Sequence, residues 1–416
     1  MATQHTAELS IGGNPSAGEP GVVIDVVDGY DCILDCFEIG CPFTFALWHS
    51  EDRQSTWQIV RARAQVGAAV VLKIDGVLIL SGWIEQLEER VDRASGAMVI
   101  ISGRDIVSKA HDWDANPAIA FRGVTLDTAL SRLYGDLQIP VILGVHSDYA
   151  RQVQAGDLRT SRATGLNGNR RRRTTRVDRS HPRAGEKIQQ VAEAMVRRAG
   201  LWMWSVPCED EGTMALCVGS YDYQTDSGFT FTRRLNATGT EVQGNMLTGT
   251  HTVQMKTIPT FVRVFGHCAR GDKFSFRYAP GVQNELILDS DLTKDRVVVP
   301  HPYQPRYVKS QRARTYEEGN QEADRIIARA MRNFRTYNVT VQGHTQEVTA
   351  PGGTPQNKMY HFNTTAMVLD DILDIHERMF IHRVHFQGRR QSGTTTTITL
   401  VPLRAVQLTV GVETEE

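Results

Sequence analysis

From Pro355 to Pro402 the chain reads PQNKMYHFNTTAMVLDDILDIHERMFIHRVHFQGRRQSGTTTTITLVP, and this run constrains the fold more than any other. It consists of short alternating segments with no catalytic pattern among them. Met367, Leu369 and Asp371 alternate with Val368, Asp370 and Ile372. Phe380, Arg383, Val384 and Phe386 then lead through Gly388 and Gly393 into a threonine-rich run in which Ile398 and Leu400 share one strand face. β-Branched residues at this spacing suit a pleated, half-wet surface, so the C-terminal part is a wall of consecutive strands.

At 416 residues the chain is long enough for about two to four domains with real cores. Hydrophobic residues make up 41% and the formal charge is −1, so the balance is globular and net charge recruits no partner. The N-terminal MATQHTAELSIGGNPSAGEPG lacks a basic start followed by an apolar core, and no apolar run approaches about 18 residues. No membrane-spanning segment is expected, and the chain is expected to be cytosolic where it is made. Six cysteines are too few for a disulfide scaffold in a chain of this length. Cys32, Cys36 and Cys41 crowd together, but zinc wants tight ligand pairs, and Cys208, Cys217 and Cys268 lie far off. Buried thiols are the expectation, with no metal and no cofactor.

Along the chain, residues 1–20 are polar and rich in Gly and Pro, which predicts an arm that orders only against a neighbour. Residues 21–115 carry β signals throughout. In VVLKIDGVLILSGWI, Asp75-Gly76 sits between two apolar runs and predicts a type I′ hairpin, followed by a third strand closing on Gly103-Arg104-Asp105. Residues 116–227 predict a small α/β domain. One helix is capped by Thr125, with a stripe of Ala129, Leu130, Leu133, Tyr134 and Leu137; a second, over 185–199, aligns Ile188, Val191, Ala192, Met195 and Val196, and strands LWMWSV and MALCVG follow. β signals resume over 228–266 and 335–412, interrupted by an insertion, 267–334. The insertion ends in an amphipathic helix, 316–334, whose Ala323, Ile326, Ile327, Ala330, Met331 and Phe334 stripe must lie on the second β domain.

Between the helices of the α/β domain, residues 165–183 hold Arg170, Arg171, Arg172 and Arg173, with Arg176 and Arg179. Clustered arginines neutralise phosphates, yet no aromatic residues are interleaved to stack bases. A solvated loop, then an acidic protein partner, precede a nucleic-acid-binding module as readings of this run.

Enzymatic patterns fare no better. A glycosidase needs two carboxylates flanking one bond, whereas Asp370 and Asp371 are neighbours on a strand and point to opposite faces. One of the pair is expected to meet solvent or a subunit. His376, His382 and His385 lack the HxxxH helical spacing, no GxSxG elbow accompanies them, and Gly239, Gly244 and Gly249 make no phosphate-binding loop. Structural histidines are expected.

The order of parts does carry a resemblance. A β domain closes on SGRD, an α/β domain has an amphipathic helix just before Gly200, and a second β domain follows. In it NFRTYNVTVQG precedes VLDDILDIHERMFIHRVHF and GTTTTITLVP. This order resembles the Mu-type baseplate hub proteins of contractile phage tails over most of the chain, and the hub part of type VI secretion spike proteins has related barrels. The resemblance implies an α+β, mainly β fold: two small tube-type β-barrels, an α/β domain between them, and an insertion whose helix packs on the second barrel. It implies a short helix after Gly103-Arg104, near Ile106 to Ala110. It further implies a non-enzymatic virion protein, a homotrimer forming a pseudo-sixfold ring between a hexameric tail tube and a trimeric central spike. Partners would be the tail tube or distal tube protein, the spike and other baseplate proteins, with DNA only as passing cargo. Arg170, Arg171, Arg172, Arg173, Asp370 and Asp371 are the candidate partner-interface residues. A tail-associated cell-wall-degrading enzyme is the rival from the catalytic class.

Overall fold

The computed structural model describes residues 5–12, 21–24, 28–49, 54–92, 96–121, 123–144, 181–199, 201–236, 242–254, 259, 261–265, 276–278, 285–288, 297–300, 305–309, 316–349, 354–389 and 393–407. The fold is α+β and mainly β, as expected. Most of it is one 14-stranded sheet network holding two β units.

The first unit contains strands β1 (Ala7–Ile11), β2 (Val22–Ile24), β3 (Gly29–Asp35), β4 (Pro42–Trp48), β5 (Ala69–Ile74), β6 (Val77–Asp92) and β7 (Gly96–Asp105). They pair antiparallel in the order β2-β1-β5-β6-β7-β4-β3. The Asp75-Gly76 turn is the predicted hairpin: Ile74 pairs with Val77, and φ is 51° at Asp75 and 79° at Gly76. Positive φ at two successive positions is what the type I′ turn demands, and Asp-Gly supplies it at little steric cost. After β7, Asp105 caps a 3₁₀ turn, Ile106–Ser108, accepting from the Ser108 N–H at 3.0 Å, and helix α2 (Lys109–Asp112) follows. The short helix after Gly103-Arg104 is therefore present.

Two expectations for this region are corrected. Residues 7–11 do not wait for a neighbour: β1 alternates buried Ala7, Leu9 and Ile11 and pairs with both β2 and β5 of its own chain. Its polar surroundings hid a period-two apolar strand. The region is also not all β, because helix α1 (Gln54–Arg63) lies between β4 and β5. Its sequence is polar except for a narrow stripe whose buried members, Val60 and the following Ala64, lie four residues apart.

Between the two β units sits a three-stranded sheet of β8 (Val141–Leu143), β9 (Trp202–Cys208) and β10 (Thr213–Gly219) in the order β8-β10-β9. Helices α3 (Leu126–Gly135) and α4 (Ile188–Arg198) cover it. The predicted stripes are the buried ones: Ala129, Leu130, Leu133 and Tyr134 on α3, and Ile188, Val191, Ala192, Met195 and Val196 on α4.

The second unit contains β11 (Asp226–Leu235), β12 (Val242–Gly244), β13 (Met246–Val253), β19 (Arg335–Gln342), β22 (Thr364–Asp370), β23 (Ile375–Arg389) and β24 (Gly393–Pro402). Pairing runs β12-β11-β22-β23-β24-β19-β13, and Asn245 alone separates β13 from β12 along the chain. A small hairpin, β20 (Thr345–Val348) with β21 (Gln356–Met359), lies beside it.

The insertion contributes β14 (Phe261–Phe265), β15 (Phe276–Tyr278) and β18 (Pro305–Lys309) as a separate sheet in the order β15-β14-β18. A second pair is formed by β16 (Glu285–Leu288) and β17 (Val297–Pro300). Helix α5 (Tyr316–Phe334) lays Ala323, Ile327, Ala330 and Phe334 against Val262 and Val264 of β14. Ala323, Ile327, Ala330 and Phe334 of the predicted stripe are thus buried and Ile326 and Met331 partly so, but β14, expected to continue the second β domain, belongs to this smaller sheet. The helix reaches the large sheet at its end, where Phe334 runs directly into β19. A short helix, α6 (Arg404–Gln407), packs on α5.

Candidate functional site

Strand β23 is where the two β units meet. Ile375 to Ile381 pair with β22 of the second unit, and Arg383 to Arg389 pair with β3 of the first; the register breaks between them, at His382. An extra residue in one strand shifts the side-chain phase by one. Here the shift keeps Met379 and Ile381 before the bulge, and Val384 and Phe386 after it, all fully buried. Without it the second half of the strand would present Arg383 and His385 to the core.

Polar contacts across the seam are dense. The Asp35 carboxylate accepts from the Phe37 N–H at 2.8 Å and from Arg383 Nε at 2.7 Å, and His382 Nδ1 lies 3.4 Å away. Burial alone would raise the Asp35 pKa; these donors and the neighbouring cation hold it below the ordinary carboxylate value. The Cys36 N–H donates to the His382 carbonyl at 3.0 Å, and the His382 ring stacks on Phe37 with centroids 4.5 Å apart. Farther along, His385 Nε2 lies 2.6 Å from Asp31, whose other oxygen accepts from Gln387 at 2.9 Å. A second link joins Tyr30 of β3 to the far side of the second unit. Its hydroxyl is 2.6 Å from His344 Nε2, while His344 Nδ1 contacts the Thr396 hydroxyl at 2.8 Å. The His344 backbone N–H donates to His5, which meets Asp75 at 2.6 Å. Burial drives the His344 pKa down to about 3, helped by the proximity of His5.

The paired aspartates of the sequence part company. Asp370 is fully buried and bound to Arg233 through Nε at 3.0 Å and Nη2 at 2.5 Å, with the Tyr337 hydroxyl at 2.5 Å. It also caps the Asp371–Asp374 turn by accepting from Ile372 and Leu373. Asp370 is therefore engaged within its own chain, on the inner face of its strand. Asp371 points outward, accepting from the Leu235 N–H at 3.1 Å and meeting His376 at 2.8 Å. Arg170, Arg171, Arg172 and Arg173, with the rest of 165–180, lie outside the described residues.

Each of the three histidines of β23 thus faces a carboxylate: His376 with Asp371, His382 with Asp35, His385 with Asp31. They are spread along the strand and do not converge. Cys32, Cys36 and Cys41 are buried free thiols, each pushed up by burial, and no group of three or more potential metal ligands converges among the described residues. Among the described residues these contacts bind strands together. Sequence reasoning missed the partners of these residues. Arg233 lies in the alternating FTFTRRL run, where its inward phase was visible, but its pairing with Asp370 spans 137 positions.

No family model matches the sequence, and no curated protein matches it. Solved structures do. The 43 kDa tail protein of prophage MuSo2 from Shewanella oneidensis is 14% identical with a TM-score of 0.64, over 96% of this chain and 99% of that one. The tail protein from Neisseria meningitidis MC58 is 17% identical with a TM-score of 0.67, over 98% and 99%. Prophage tail protein gp18 from Listeria monocytogenes EGD-e is 10% identical with a TM-score of 0.51, over 95% and 94%. Over nearly its whole length the chain has the fold of these phage tail proteins, and its resemblance to Mu-type baseplate hubs holds at the level of the fold.

Proposed function

We propose that this chain is the structural baseplate hub of a phage tail or a related contractile injection system. Three copies would form a pseudo-sixfold ring joining a hexameric tail tube to a trimeric central spike. The observation that carries this reading is the β3–β23 seam, which fixes two β units side by side in one chain. Three chains so built present six β units around a threefold axis, the geometry needed where a sixfold tube meets a threefold spike. β2 ends the pairing path of the first unit among the described residues, and an unpaired edge of this kind is an asset in a protein that closes a ring. On this reading the chain is a virion protein assembled in the host cytoplasm, without enzymatic activity, that contacts the tube or distal tube protein, the spike and other baseplate proteins. The units built from β1 to β7 and from β11, β12, β13, β19, β22, β23 and β24 would be the tube-type barrels, and Asp371 and the Arg170 to Arg173 run would lie at partner contacts.

Co-expression with the tube and spike proteins, followed by electron-microscopic class averages of the purified complex, tests this directly. A ring with three copies of this chain supports it. Monomers that bind neither partner, or hydrolysis of purified cell wall by the chain, would replace it with the enzymatic reading. Salt-sensitive binding to nucleic acid that depends on Arg170 to Arg173 would favour the nucleic-acid reading.

A further inference from the structure

Arg332, on the last turns of α5, is only 6% exposed, and its surroundings are aromatic. Its Cζ lies 4.1 Å from the ring centre of Phe37, 4.6 Å from that of Trp202 and 5.3 Å from that of Tyr221. The Tyr221 hydroxyl serves the guanidinium as one polar partner. Neither Nε nor Nη2 has an acceptor among the described residues, and the same holds for the buried Nε1 of Trp202. Arg325, two turns earlier on the same helix, adds a second cation 5.5 Å from the Trp202 ring. The nearby carboxylate of Asp35 already takes hydrogen bonds from Phe37 and Arg383.

The cluster therefore presents N–H donors and positive charge, with the Asp35 carboxylate committed to Phe37 and Arg383. Aromatic faces stabilise a guanidinium by cation–π attraction, which satisfies its plane and leaves its edge unsatisfied. Burying a cation with two unpaired N–H groups costs several kcal/mol unless an acceptor of opposite charge meets them. A water molecule could accept from the fork but would bring two hydrogens of its own, which need acceptors in turn, and no charge. Nε–H and Nη2–H form the side-on fork of arginine, whose parallel bonds match the two oxygens of a planar oxyanion.

We propose that the Arg332 fork and Trp202 Nε1 form a binding site for a small carboxylate or similar planar oxyanion, at the junction of α5, β9 and the turn after β3. The ligand supplies the acceptor that locks the insertion helix onto the seam between the β units.

Thermal unfolding of the full chain in sodium formate, exchanged against sodium chloride at constant ionic strength, tests it. Formate raises the wild-type midpoint with saturation. Trp202→Phe removes one neutral donor and raises the half-saturating concentration about fivefold. Arg332→Lys keeps the charge but loses the fork, and abolishes the response. A crystal grown in formate shows a planar triatomic density on Nε and Nη2. An equal wild-type midpoint in the two salts, equal responses in both variants, or a single water on the fork in that crystal would each overturn the assignment.

Discussion

At the scale of the residue, the partition of Asp370 from Asp371 makes a sharp contrast. Asp370→Ala strips the carboxylate from a mostly buried guanidinium and a buried tyrosine hydroxyl, and should cost roughly 3 kcal/mol in denaturant-induced unfolding. Asp371→Ala removes an outward contact and should leave the midpoint unchanged. His344 gives a pH signature. Its folded pKa is depressed to about 3 by burial, while the unfolded value is about 6.5. Between those values the unfolded chain binds a proton that the folded chain refuses, so stability is highest above 6.5 and falls as pH drops towards 3. Chemical denaturation from pH 7.5 to 4.5 should show this decline, and His344→Gln should flatten it; a decline of equal slope in the variant would assign the effect elsewhere. That Asp370 and Asp371 face opposite ways was legible in the alternation of the strand. Which of them faces inward was not, because the deciding partner, Arg233, is remote in sequence.

At the scale of the element, β23 does what neither β unit can do alone: it pairs with β22 before His382 and with β3 after it. Deleting His382 would move Val384 and Phe386 to the wrong face of the strand and should give insoluble protein. His382→Gln keeps the extra residue and should remain soluble, since only the histidine contacts with Asp35 and Phe37 are lost. Solubility of both variants after expression decides whether the bulge or the imidazole matters. For α5, Ile327→Asp places a charge among Val262, Val264 and Ala323, where a large apolar side chain contributes about 1.5 to 3 kcal/mol. The variant should lose soluble expression. Helices α3, α4 and α5, the Asp-Gly hairpin and the terminal strands were readable because their signals are local: periodicity, caps and turn residues. The small sheet under α5 and the partner switch in β23 were not, since strand pairing is set by contacts that periodicity does not encode. β1 escaped notice because five residues of alternation are brief beside the polar stretch around them.

At the scale of the whole molecule, a single chain joins two antiparallel-rich units edge to edge and buries aromatic residues from the α/β domain against the joint: Tyr221 packs on Phe37 and Phe380, and Trp202 stacks on Tyr221. Such a joint fixes the angle between the units, which a ring of copies requires. The run Arg170 to Arg173 belongs to a segment whose removal should leave that joint untouched. Deleting Asn167 to Arg176 should preserve folding and ring formation, because closure entropy changes slowly with loop length, and any weakened partner binding should depend on salt. Sedimentation of the deletion variant with its partners checks this. The central claim is that three chains make six positions. Cryo-electron microscopy of the assembled tail end, reconstructed without imposed symmetry, measures it most directly. The account predicts three copies of this chain, their two β units alternating around the axis beneath a sixfold tube; six copies, or two, would contradict it.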